Sequence, residues 1–355
     1  MTATKPTHPN PIVAEDIDQI LRKDIDWEKF RNKTVFISGA SGFLPAYLVY
    51  VFLALNDRFG LGISVVGLVR NGEKGKFRFK DYLHRTDFKL LVQDVCESIR
   101  FSEKVDFVIH AASQASPKYY GSDPVGTLKA NVLGTLNLLH FAKLAGAGQF
   151  MYFSSSEVYG SVSSDKIPTR EENYGYLDPT QVRSCYAESK RMGETICVSW
   201  MHQYGLPVVM VRPFHTYGPG MDLNDGRVYA DFIANVVRGE DIIMKSDGLA
   251  IRAFCYISDA TEAFIRVLLE GEPGQAYNVG NEKGEISIID LAEEIISLFP
   301  DKNLKINRFN QKLPTYIPSP VARNTPEISK IRKLGWQPDT SIKSGFYRTI
   351  QSYLC

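Results

Sequence analysis

The chain has 355 residues, 44% hydrophobic and 23% charged, with a formal net charge of +1, a globular balance with no electrostatic pull on nucleic acid. Its five cysteines, Cys96, Cys185, Cys197, Cys255 and Cys355, are scattered without a CxxC pair, which argues against a disulfide framework or a metal knuckle and for a reducing, cytoplasmic setting. The longest aliphatic and aromatic run, Tyr47 to Leu55, falls far short of the ~20 apolar residues that cross a bilayer, and the polar N-terminus lacks the basic-then-apolar order of a secretory signal.

From Ile12 to Phe30, Ile and Leu recur among acids and lysines in a helical rhythm, predicting a helical N-terminal extension over residues 1–32. The short β-branched run Thr34 to Ser38 suits a strand buried on both faces. Comparable runs follow at Ile63 to Val69, Val105 to His110, Phe150 to Ser154 and Pro207 to Val211, spaced for crossover helices. This alternation predicts an α/β fold, a doubly wound Rossmann-type parallel sheet over residues 33–212. After Pro213 the rhythm loosens, with turn signals at Tyr217 to Gly220 and Glu272 to Gly274 and a Pro-rich stretch from Leu313 to Pro320. Residues 213–355 therefore read as a smaller α/β substrate lobe, its boundary interleaved with the first.

Directly after the first strand, Gly39-Ala40-Ser41-Gly42-Phe43-Leu44-Pro45 sets two glycines where a backbone must turn tightly and let a pyrophosphate approach N–H groups at a helix start. Pro45 stands where a third glycine is usual, a place proline tolerates in a first helical turn. The second strand ends in Gly67-Leu68-Val69-Arg70-Asn71, without the acid that meets an adenosine ribose. Arg70 is either a partner for a 2′-phosphate, which keeps NADP open beside NAD, or a solvated loop charge. Asp94 and Val95, at a later strand end, are candidates for the adenine edge.

Tyr186 and Lys190 lie four apart, hence on one helix face. A phenol with a reference pKa of ~10 becomes a base near neutrality when its phenolate is stabilised, and a neighbouring ammonium supplies that stabilisation. Taken with the glycine turn, the run Phe153-Ser154-Ser155-Ser156-Glu157-Val158-Tyr159-Gly160, His110-Ala111-Ala112-Ser113, Asn131 with Gly134-Thr135, Arg183 to Tyr186, Tyr217-Gly218-Pro219, Asp225 to Val228 and Arg252 to Asp259, the chain resembles the extended short-chain dehydrogenases/reductases that modify nucleotide sugars. The resemblance covers nearly everything from Lys33 onward. It implies NAD held also by Ala111, Ala112, Ser113 and Asn131, a nucleotide-sugar substrate, and a homodimer paired through the Tyr/Lys helix, where Met192, Ile196 and Trp200 recur in a pattern that suits either such a face or plain core packing. It further implies that Tyr186 takes the proton of the sugar C4 hydroxyl, that Lys190 lowers the Tyr186 pKa and holds the nicotinamide ribose, and that Ser155 hydrogen-bonds the C4 oxygen.

Within that family Glu157 argues for chemistry at C5, because simple 4-epimerases carry no acid there. Glucose-type 4,6-dehydratases have Asp-Glu where this chain has Ser156-Glu157. The Ser-Glu pair, with Arg183-Ser184-Cys185-Tyr186 and Ala115-Ser116-Pro117, is most similar to UDP-glucuronate decarboxylases. Ser116, Arg183, Arg227 and Arg252 are then the expected substrate contacts. His215 replaces a usual Asn that contacts the sugar diphosphate, either as a neutral donor or as a buried structural histidine. The expected activity is decarboxylation of UDP-glucuronate, with 4,6-dehydration or 4-epimerisation as alternatives and a non-catalytic dinucleotide sensor as the reading from another class.

Overall fold

The computed structural model describes residues 7–308 and 321–355; the Pro-rich stretch Leu313 to Pro320 lies outside them. The N-terminal extension forms helix α1 (Pro11–Leu21) and a short 3-10 turn over Trp27–Phe30. Then come β1 (Thr34–Ser38), α2 (Phe43–Phe59), β2 (Ser64–Val69), α3 (Gly72–Arg78), β3 (Phe88–Val92) and β4 (Phe107–His110). They are followed by α4 (Lys118–Ser122), α5 (Pro124–Leu144), β5 (Gln149–Phe153), α6 (Cys185–Tyr204) and β6 (Val208–Pro213). The rest of the chain holds β7 (His215–Tyr217), α7 (Val228–Arg238), β8 (Ile242–Met244), β9 (Ile251–Tyr256), α8 (Ile257–Glu270) and β10 (Ala276–Val279). It ends with β11 (Glu285–Ser287), α9 (Ile288–Ser297), β12 (Ile306–Arg308), β13 (Arg323–Asn324), α10 (Ser329–Arg332) and α11 (Ile342–Leu354).

Seven parallel strands form the main sheet in the order β10-β6-β5-β4-β1-β2-β3. Strand alternation sends Val35 and Ile37 into the core shared with α2 and α8, and Phe36 into the core shared with α5 and α6. The edge strand β10 comes from beyond residue 213, so the C-terminal half of the sequence returns to complete the sheet after building part of the second lobe. That lobe is a small sheet in the order β11-β9-β13, with β7 also paired to β9, and a separate β8-β12 pair. Between β1 and β4 the strand order reverses, which opens a crevice at their C-terminal ends.

Candidate active site

The glycine turn occupies one wall of that crevice. Gly39 has φ +68°, and a Cβ there would sit 2.7 Å from Ala112 Cα, so only glycine allows the turn after β1 to lie against the loop after β4. Gly42 precedes the first helical residue of α2, where Phe43 and Leu44 follow, and Pro45 is buried in the first turn. Ser41 is half-buried at the mouth. Among the described residues, Ser113 Oγ, Ser154 Oγ and Asn131 Oδ1 are buried without a hydrogen-bond partner. Buried polar atoms are nearly always satisfied, so orphans after β4, after β5 and on α5 fit a polar ligand, and the glycine cradle fits its pyrophosphate. On the adenosine side, Arg70 is exposed at the end of β2, Asp94 accepts from the Cys96 amide at 2.9 Å, and Val95 is buried against Gly134.

Beneath the crevice runs a directional chain of hydrogen bonds. Thr135 Oγ1 donates to the Asn131 carbonyl at 2.5 Å, so it accepts from His110 Nε2 at 3.1 Å. His110 Nδ1 then accepts from the Ser38 hydroxyl at 2.9 Å, and Ser38 Oγ accepts from the Ala112 amide at 3.2 Å. Burial, and secondarily Lys190, pushes the His110 pKa down to about 3, so the ring is neutral and its tautomer is set by these neighbours. Asn131 also donates to Ser189 Oγ at 2.9 Å, which in turn donates to the Tyr186 carbonyl at 2.9 Å, tying α5 to α6 between Tyr186 and Lys190.

Tyr186 and Lys190 are both buried in the first turns of α6, as their spacing predicts. Lys190 Nζ donates to the Phe153 carbonyl at the end of β5, at 2.6 Å, and lies 5.8 Å from the Tyr186 ring centre. Burial pushes the Lys190 ammonium from 10.5 down to about 7, against the pull of Glu194. The Tyr186 phenol is raised above its usual value by burial, and the groups that pull it back are Ser155, Arg227 and Arg183. Loss of water from the phenolate outweighs these attractions. The Tyr186 ring stacks on Tyr120 at 5.1 Å, and the Arg183 guanidinium covers the other aromatic at 4.8 Å.

The Lys190 shift has a stability consequence. Its folded pKa is depressed, so between about pH 7 and 10.5 the unfolded chain binds a proton that the folded chain has released, and folding gains as pH rises through that window. Denaturant titrations at several pH values should show wild type gaining on Lys190→Met by roughly 1.4 kcal/mol per pH unit above about pH 7. A pH-independent difference would contradict the assignment.

On the facing side of the phenol, the turn after β5 carries Ser155, Ser156 and Glu157. Ser155 Oγ accepts from the Glu157 amide at 3.2 Å. The Glu157 carboxylate pairs with Arg183 at 3.2 Å, while Arg183 Nε is buried with no partner among the described residues. Ser116 donates to the Asp225 carbonyl and Arg227 to the Ala115 carbonyl at 2.9 Å, with Arg227 paired to Asp225 at 2.9 Å. Both residues thus latch the loop before α4 to the loop before α7. His215, on β7, has a buried Nδ1 with no partner among the described residues, and burial, then Arg252 and Arg227, hold its pKa well below the usual value, making it a neutral hydrogen-bonding group. Arg252 lies on β9 with its guanidinium on the carbonyls of Ile251, Val321 and Ala322 at 2.8–3.2 Å. Asp259, at the start of α8, accepts from the Thr340 amide at 2.9 Å and from its hydroxyl at 3.1 Å.

Sequence reasoning missed the support behind these groups. Arg212, on β6 and 2% exposed, makes a two-pronged pair with Glu194 at 2.7 and 2.8 Å and donates to Tyr159 Oη at 2.9 Å. Glu194 is one turn beyond Lys190, and Tyr159 ends the Glu157 turn, so one buried cation braces both the Lys190 helix and the Glu157 turn. A lone Arg in an apolar strand and a Glu on the Lys190 face of α6 were the available signals.

The model of the NAD dependent epimerase/dehydratase family matches residues 35–280. The chain is 36% identical to UDP-glucuronic acid decarboxylase 3 of Arabidopsis thaliana over 88% of its own length and 87% of that protein's. It is 34% identical to UDP-glucuronic acid decarboxylase 1 of Danio rerio, over 91% and 73% respectively. Among solved structures, UDP-glucuronic acid 4-epimerase of Bacillus cereus, in complex with UDP-glucuronic acid and NAD, superposes with a TM-score of 0.76 at 21% identity, covering 90% of this chain and 99% of that one, a likeness of fold. The glycine cradle, the Tyr186/Lys190 face and these matches agree: the chain belongs to the NAD dependent epimerase/dehydratase family.

Proposed function

We propose that the protein decarboxylates UDP-glucuronate to a UDP-pentose in a reaction with no net redox change. The observation that carries this reading is Glu157, paired with Arg183 on the turn that also bears Ser155, beside Tyr186, in a chain 36% identical to a UDP-glucuronic acid decarboxylase. A bound NAD would supply the hydride acceptor for sugar C4 and the hydride donor that restores C4 at the end. Tyr186 Oη takes the C4 hydroxyl proton and later gives it back, and Ser155 hydrogen-bonds the same oxygen. A ketone at C4 lets the C5–carboxylate bond break, since the electrons left on C5 delocalise into the carbonyl; CO₂ departs and C5 gains a proton. Glu157 manages that proton, with Arg183 fixing its carboxylate. Gly39, Ser41, Gly42, Phe43 and Leu44 would cradle the dinucleotide pyrophosphate, Arg70, Asp94 and Val95 would hold its adenosine side, and Ala111, Ala112, Ser113, Asn131 and Lys190 would hold the remainder. Ser116, Arg227, His215 and Arg252 take the sugar diphosphate and the uronate.

The test is incubation of the pure protein with UDP-glucuronate and assay of CO₂. Turnover of a neutral nucleotide hexose without CO₂ from UDP-glucuronate would reject the reading. Glu157→Gln should cut CO₂ release by about 10²-fold or more, whereas a 4-epimerase would tolerate the change.

A homodimer in the cytoplasm fits the same reading. On α5 and α6, Val125, Leu128, Leu133, Leu136 and Met192 are exposed, an apolar surface suited to a second copy, and all five cysteines are unpaired. Light scattering at assay concentrations reports the assembly; a monomer would contradict it.

A further inference from the structure

Strand β13 crosses from the small lobe to the reacting turn. Arg323 and Thr325 face one side, where both bind Glu285 Oε2, at 2.9 and 2.5 Å. Strand alternation turns Asn324 the other way, and there its Nδ2 donates to Ser156 Oγ at 3.3 Å. The backbone is fixed on both flanks: Asn324 is the register partner of Arg252 on β9, and the Thr325 carbonyl accepts from the Thr169 amide at 2.8 Å. Ser156 is 7% exposed and sits between Ser155 and Glu157. The contact is therefore built, and it ends among the reacting groups.

A hydroxyl has one proton to donate and two lone pairs to accept with. With Asn324 donating to one lone pair, the Ser156 proton is left to point elsewhere. A carboxylate only accepts, whereas a hydroxymethyl group both donates and accepts. We propose that Asn324 is a positioning residue that sets Ser156 as a donor toward the substituent on C5, and so favours a uronate over a neutral hexose. This rests on the decarboxylase reading, and deepens it. An aspartate at position 324 would reverse the pair: Ser156 would donate to the new carboxylate and present a lone pair to the sugar, next to an added negative charge.

Calorimetric binding of UDP-glucuronate and UDP-glucose is measured on NAD-loaded protein, in a Tyr186→Phe background that prevents turnover. Asn324→Asp should weaken UDP-glucuronate by about tenfold or more and UDP-glucose by less than about threefold. Asn324→Ala should weaken UDP-glucuronate on its own but add nothing once Ser156→Ala is present. Equal losses for both ligands, additive losses in the double variant, or no loss at all overturn the proposal. CO₂ release by the unaltered enzyme is a separate readout, so failure of the decarboxylase reading is seen apart from failure of the Asn324 assignment.

Discussion

Tyr186→Phe should lower kcat on UDP-glucuronate by about 10³-fold, within the 10²–10⁴ range of a positioned acid–base group. The substitution removes one oxygen and leaves the ring stacked on Tyr120 at 5.1 Å, so NAD content and melting temperature should stay near wild type. The size of the effect follows from the electrostatics of the site. Burial holds the phenol above its usual pKa, and Ser155, Arg227 and Arg183 supply the offsetting pull. Retention of more than about a tenth of the activity would remove Tyr186 from the proton transfer.

Glu194→Leu should cost about 3–5 kcal/mol of stability, because it leaves the Arg212 cation uncompensated at 2% exposure. Loss of Glu194 also removes the carboxylate that supports the Lys190 charge, so the Lys190 pKa should fall below about 7 and activity near neutrality should drop further than folding alone explains. Replacing both partners, as Arg212→Met with Glu194→Leu, should recover part of the lost stability, since an apolar pair carries no buried charge. Chemical denaturation of the single and double variants measures this. A single-variant loss under about 1 kcal/mol would show that Tyr159, Tyr174 and the Glu171 carbonyl, which also bind Arg212, satisfy the cation by themselves.

The parts of this molecule that could be read from sequence are those whose causes are local. The strand Thr34 to Ser38, the two glycines behind it and the four-residue step from Tyr186 to Lys190 each state a backbone geometry within a few positions, and the structure has all three. What escaped depends on distant partners. Strand β10 is four residues long and follows a Pro273-Gly274 turn, so nothing nearby marks it as the sheet's edge. Asp16 reads as the solvent side of an amphipathic helix, yet it is fully buried and bound by Tyr47, Tyr256 and Arg348, the last 332 positions away. The direction of the Tyr186 shift was likewise a tertiary matter: the Tyr-to-Lys spacing promised a stabilising charge, but how much water the phenolate loses is set by Tyr120 and the loops packed over it.

The central claim, that oxidation at C4 is used to break the bond to the carboxylate on C5, is tested most directly by running the UDP-glucuronate reaction in heavy water and examining the nucleotide product by mass spectrometry and NMR. The account predicts a UDP-pentose, formed one for one with CO₂ and carrying one carbon-bound deuterium, at C5. A product that keeps its carboxylate with C4 inverted and no deuterium would contradict it.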